Sequence, residues 1–315
     1  MDRRSAVMGL ALLGLAAFGT AVAQQTPARP TAGASAGPIV KAGATQKLTT
    51  HVYAISDNSV PGVPNVGFVV GSKATLVIDT GMGAPNGKTV LAEAQKLSAT
   101  NKLYLVTTHV HPEHDLGAQA FPATTTMIRA NAQVKEIAEE GFRTADMFRG
   151  RSEINKQLLE GAEFRKADVT FDTTYDLDLG GVKVKLYMLG PGHTQADTVT
   201  FVEGDNVLFS GDLAMKGMPA FASSKSSAKQ WLVALDKMDA LKPKVVVPSH
   251  GPIGDASYIA TYRTYITRIQ SRAAALKREG KSVDDAVTAI TAELKPDYDT
   301  SRAAAAIRTA YNEAR

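Results

Sequence analysis

The run Thr108-His109-Val110-His111-Pro112-Glu113-His114-Asp115 constrains this chain more than any other feature. It follows directly on residues 103–107, an apolar stretch that reads as a buried strand. With extended geometry carried past the strand, alternation puts His109 and His111 on one side. Pro112 favours the bend that returns Glu113 and His114 to them. Three imidazoles and a carboxylate within six residues are a dense supply of metal ligands. Six histidines scattered at random over 315 residues would rarely produce this spacing. The chain has no cysteine, which excludes disulfides, thiolate ligands, iron–sulfur clusters and a cysteine nucleophile.

The other histidines point the same way. His193 lies in Leu189-Gly190-Pro191-Gly192-His193, Asp212 in Phe209-Ser210-Gly211-Asp212, and His250 in Val247-Pro248-Ser249-His250-Gly251. Each follows a strand-like run, and strand ends are where α/β sheets gather functional sites. A glycine beside each lets backbone approach closely. Asp79, in Ile78-Asp79-Thr80-Gly81, also ends a strand and reads as a carboxylate accepting an N–H from a ligand histidine or its loop. Asp197, four residues past His193, reads either as a buttress of the site or as a strand-start turn. Asp115 reads either as a substitute ligand or, since it is expected to point away from its neighbour, as a polar cap on the next helical turn. Only His51 stands outside the pattern and reads as an ordinary strand residue.

Residues 1–23 read as a signal peptide: Met1-Asp2-Arg3-Arg4, an apolar run too short to span a bilayer, and Ala21-Val22-Ala23 as a cleavage pattern. The paired arginines leave twin-arginine and general secretory export both open, and the alternative reading of the segment is an uncleaved membrane anchor. The expected location is periplasmic. Residues 24–47, rich in Ala, Pro, Gly and Thr, read as a flexible linker. Residues 48–255 alternate strands and helices, which argues an α/β domain with mixed sheets and outer helices. Residues 256–315 read as a helical extension packed on it, with Ser282 as a helix N-cap. A net charge of +4 over 315 residues is no nucleic-acid footprint. The expected partner is a small-molecule substrate, with no nucleic acid and no stable membrane partner after signal cleavage. The oligomeric state is not readable.

Taken together, Asp79-Thr-Gly, His109-x-His111-x-Glu113-His114, His193, Asp212 and His250 resemble the metallo-β-lactamase superfamily in order and spacing. The resemblance covers about residues 48–255. It implies an αβ/βα sandwich of two mixed sheets with helices outside and metals at one edge. It further implies that His109, His111 and His193 hold one metal, that Glu113, His114 and His250 hold a second, and that Asp212 bridges both. Glu113 stands where the superfamily usually carries Asp. The longer side chain either ligates with a shifted second metal or leaves one metal. Ligands without sulfur suit Zn²⁺, two per chain, with iron or manganese as alternatives. Zinc lowers the pKa of bound water towards neutrality. The resemblance gives Glu113 the role of orienting the nucleophile and Asp212 a catalytic role beside it.

The reading is an exported dinuclear zinc hydrolase of a small ester, lactone or amide. The alternatives are a β-lactamase, an iron-dependent oxidoreductase of the same fold, and a metal-carrying binding protein. Residues 141–151, with Phe142, Met147 and Phe148, and residues 213–223, with Met215, Met218 and Phe221, are read as loops walling the pocket. Phe148, Met215 and Phe221 are read either as substrate contacts or as minor core. Lys216, four residues past Asp212, either holds a substrate carboxylate or is solvated.

Overall fold

A computed structural model describes residues 37–315. The signal peptide expected at residues 1–23, and most of the linker expected after it, lie outside the described residues. The remainder of that linker belongs to the fold. Val40 is buried and its N–H is accepted by Asn86 Oδ1 at 2.7 Å. Thr45–Lys47 forms strand β1, paired antiparallel with β2 (Val52–Ile55). Low hydrophobicity hid this segment, because an edge strand needs only backbone partners.

Two mixed sheets make the body. In the first, β1 and β2 continue through β3 (Val66–Val70), β4 (Ala74–Ile78), β5 (Lys102–Val106), β6 (Thr126–Ala130) and β7 (Val169–Phe171). Its first four strands pair antiparallel and its last four parallel. The second has the order β12 (Val245–Pro248), β11 (Val207–Gly211), β10 (Thr198–Val202), β9 (Lys183–Met188) and β8 (Thr174–Asp178). Only its β11–β12 pair is parallel.

Side-chain alternation builds the layers. In β4, Leu76 and Ile78 enter the core between the sheets with Val106, Leu186, Phe209 and Val247. Val77 faces the opposite way, onto Val90 and Ala94 of α1 (Gly83–Leu97). On the outer face of the second sheet, Val199 and Leu208 meet Trp231 of α6 (Ala228–Ala240). The same core takes in Tyr262 of α7 (Ser257–Arg278), Ile290 of α8 (Val283–Leu294) and Ile307 of α9 (Ala303–Glu313). Ser282 caps α8 reciprocally with Asp285. This is the sandwich of two mixed sheets with outer helices and C-terminal helices that the sequence leads one to expect.

Between β6 and β7 the chain is helical rather than a loop. After α2 (Pro112–Asp115), it forms α3 (Asn131–Glu136), a wider turn at Ile137–Gly141, α4 (Phe142–Arg149) and α5 (Glu153–Leu158). The expectation of a loop over residues 141–151 is therefore corrected. Gly141 suggests a break, but its φ of −56° is helical. It is small because a Cβ there would sit 2.9 Å from the Phe164 ring.

The sheets are stitched together at the edge that carries the histidines. Thr198 N–H reaches Thr108 O at 2.7 Å, and Asn65 N–H reaches Ser249 O at 2.6 Å.

Candidate metal centre

His109 and His111 leave the end of β5, and Glu113 and His114 sit on the short helix α2. His193 follows β9, Asp212 follows β11 and His250 follows β12. Gly211 makes the turn into Asp212 with φ +58°, a conformation that disfavours a Cβ. Gly117 lets the α2 turn lie on the Asp79 turn, since a Cβ there would be 2.4 Å from Thr80 O.

Three overlapping groups of ligand atoms result, each with its members within 4.8 Å: His109, His111 and His193; His109, His114 and Asp212; Glu113, His114 and His250. In the first group His111 Nδ1 lies 3.0 Å from His109 Nε2 and 3.2 Å from His193 Nε2. Asp212 Oδ2 is 3.3 Å from His193 Nε2. Four nitrogen or oxygen ligands at zinc's bond lengths in a tetrahedron stand about 3.3 Å apart. Glu113 Oε1 lies 3.9 Å from His114 Nε2, so the longer side chain does reach this cluster.

The outer nitrogens are fixed as well. Thr108 Oγ1 donates to Asp79 Oδ2 at 3.0 Å, so it accepts from His109 Nδ1, also at 3.0 Å. His114 Nδ1 donates to Asp79 Oδ2 at 2.9 Å, His193 Nδ1 to Ala220 O at 2.6 Å, and His250 Nδ1 to Val63 O at 3.0 Å. Each of these four rings is thus anchored through Nδ1 and presents Nε2, the arrangement expected around a metal. His111 is turned over and presents Nδ1.

The inward atoms are left wanting. His114 Nε2, Glu113 Oε2 and Asp212 Oδ1 are buried without a hydrogen-bond partner. Buried polar atoms are rarely orphaned, and a cation would satisfy all three. The donor set therefore fits a metal.

Electrostatics agree. Burial, reinforced by the neighbouring imidazoles, holds His109 and His111 well below the ordinary histidine value, so both are neutral ligands. Burial opposes charge on His114 too, but Asp79, Glu113 and Asp212 overcome it and push the ring up to about 9. Burial raises the carboxyl of Glu113. Burial would also raise Asp212, yet four histidines led by His193 hold it below the usual range.

The supporting shell joins Asp79 and Asp197, both read from the sequence, to residues that the sequence did not mark. Asp79, at φ +63°, also accepts Thr108 N–H at 2.8 Å. Asp197 accepts Gly192 N–H and both the N–H and hydroxyl of Thr194, bracing the His193 loop. Glu136 of α3 braces the same loop from the other side, accepting Gln195 and Ala196 N–H at 2.9 and 3.0 Å. Asn65 holds the His250 loop through Pro248 O and Gly251 O. Asp115 is no cap: it is buried and forms a two-pronged ion pair with Arg129 of β6, joined by Thr107. In sequence Thr108 sat beside the histidines, but nothing marked Glu136, Asn65 or Arg129.

Of the residues read as pocket wall, Phe148 is buried with its ring centroid 5.5 Å from that of His111. Met215 is buried in the core around Trp231, and Phe221 stacks on Trp231 at 4.8 Å. Lys216 is exposed, with no ion pair among the described residues.

A family model described as the metallo-beta-lactamase superfamily matches residues 59–250, and the chain belongs to that superfamily of hydrolases. It is 25% identical over 207 residues to a linear primary-alkylsulfatase of Pseudomonas sp. (strain ATCC 19151), covering 56% of this chain and 39% of that protein. The chain thus spans well under half of that relative's length. It is 24% identical over 215 residues to a metallo-beta-lactamase type 2 of Elizabethkingia meningoseptica, covering 67% of this chain and 71% of that one. Among solved structures, a metallo-beta-lactamase from Pontibacter korlensis superposes with a TM-score of 0.58 at 22% identity, over 71% of this chain and 98% of that one. The sec-alkylsulfatase Pisa1 from Pseudomonas sp. superposes with a TM-score of 0.69 at 15% identity, over 85% of this chain and 49% of that one. These structural likenesses establish the fold.

Proposed function

We propose that the chain is an exported dinuclear zinc hydrolase of small ester, lactone or amide substrates. The observation that carries this reading is the convergence of anchored imidazoles on buried, partnerless atoms of Glu113, His114 and Asp212. His109 Nε2, His111 Nδ1 and His193 Nε2 would hold one ion. Glu113, His114 Nε2 and His250 Nε2 would hold the other, and Asp212 would serve both. Zinc bound there would supply a Lewis acid for the scissile group and water of lowered pKa. Glu113 orients the attacking water through its carboxylate. The Asp79 and Glu136 braces keep the histidines in place so that no reorganisation accompanies the reaction. The sequence of residues 1–23 supports export to the periplasm.

Sulfate esters are the second reading. The alkylsulfatase superposition covers 85% of the chain, against 71% for the Pontibacter lactamase. The test is metal analysis followed by hydrolysis of an aryl ester, a lactone, an alkyl sulfate and a chromogenic cephalosporin, each with a chelator control. Chelator-sensitive turnover of the ester or lactone is expected. Sulfate turnover alone selects the second reading, and cephalosporin turnover at ordinary enzyme rates makes the protein a β-lactamase. Two bound zinc ions with no turnover of any of the four refute the substrate assignment.

A further inference from the structure

The guanidinium of Arg151 stands outside every ion pair described so far. Its Cζ lies 3.5 Å from the centroid of the Phe148 ring, and that ring packs against His111. Nearby basic side chains are matched: Arg143 with Glu140, Arg149 with Asp146, Lys135 with Glu139. Among the described residues Arg151 has no carboxylate partner, and no side-chain acceptor for its donors is found. Stacking uses only the face of the guanidinium and leaves its N–H fork free in the plane. Arg151 itself is exposed, and its guanidinium rests on the buried ring beneath it. His111, at 9% exposure, is the most accessible of the three imidazoles in the first ligand group.

We infer that Arg151 is a specificity-determining residue that binds an oxyanion, carboxylate or sulfate-like, on the part of the substrate that is not cleaved. This rests on the proposed hydrolase reading and adds the substrate's chemical class. A guanidinium offers two parallel N–H groups to such an anion. Lys216 is the competing cation, but nothing in the structure seats it.

The test reads binding as well as turnover. Zinc content of the purified protein is measured first. The zinc-loaded protein is then titrated calorimetrically with 3-mercaptopropionate, 3-mercaptopropanesulfonate and methyl 3-mercaptopropionate. All three have a thiol to bind the metal, and only the first two carry an anion. Wild type is expected to prefer the anionic probes by about tenfold, as charge-assisted hydrogen bonds allow. R151Q is expected to lose most of that preference while binding the methyl ester as before, and R151K to keep part of it. A preference that survives R151Q, or that K216Q removes instead, overturns the inference, as does wild type with no preference. Zinc retained without binding of any probe overturns it too. An R151-dependent preference in a protein that hydrolyses nothing refutes the hydrolase reading alone. A chain that retains no zinc refutes that reading and this inference with it.

Discussion

Asp79→Asn isolates the contribution of the metal centre's outer shell. Asp79 accepts three hydrogen bonds: from His114 Nδ1, Thr108 N and Thr108 Oγ1. Asparagine has the same shape and tolerates the left-handed φ of +63°, so the backbone stays put. Its single carbonyl can keep Thr108 N–H, but an NH₂ now faces His114 Nδ1–H and the Thr108 hydroxyl. Two donors cannot share that contact. The ring escapes by shifting its proton to Nε2, the atom that faces the ligand cluster and must be bare to hold a metal. A hydrogen bond to a charged group is worth about 1.5–3 kcal/mol, and loss of such outer partners costs about 10–100-fold in metal affinity. Competition with a chromogenic chelator should therefore find one zinc ion weakened 10–100-fold. The proton count follows. In wild type the His114 ring, pushed up to about 9, is charged at pH 7.5 in the metal-free protein and must release its proton on loading. Calorimetry in buffers of different ionisation enthalpy should detect that release, and a smaller one in D79N. Two ions retained at wild-type affinity, with unchanged proton release, would refute the argument.

Arg129→Met strands the carboxylate of Asp115 in the interior, which costs about 3–5 kcal/mol by urea unfolding. The double variant D115N/R129M should recover much of it, and a single-variant loss of about 1 kcal/mol or less, the value of an exposed pair, would disprove the assignment. Glu136 gives a pH signature. Burial raises its carboxyl from the ordinary 4.5 to about 7, so the folded protein keeps a proton that the unfolded chain releases. Its contribution to stability is complete below about 4.5 and is lost as pH rises through about 7. Glu136→Gln cannot titrate, so the melting temperature of wild type minus that of E136Q should shrink between pH 4.5 and pH 8. An unchanging difference would place the titration elsewhere.

The sandwich was legible because its strands announce themselves as short apolar runs that stop on chemistry: Ile78 then Asp79, Val106 then the histidines, Phe209 then Asp212. A polar side chain after a buried strand has few places to go but the sheet's edge. The bracing was not legible. Glu136 lies 60 residues from Ala196, and Asn65 lies 183 from Pro248. Periodicity carries no information about partners at that separation. Helix α4 was hidden for a different reason: only Ala145 and Phe148 of its eight residues are buried, too few to stamp an apolar face on the sequence.

The ligand cluster also bears on how the native state is reached. His109, His111, Glu113 and His114 come from one sheet's edge, and His193, Asp212 and His250 from the other's. Neither sheet alone carries three imidazoles of the first group. An ion seated among them is a cross-link between the layers that exists only in the native topology. The nascent chain can offer metal no more than the local histidine run, and full coordination must await docking of the two sheets. Uptake of the ion then becomes a clock for the last step of folding, and escape of the ion a measure of how often the layers part.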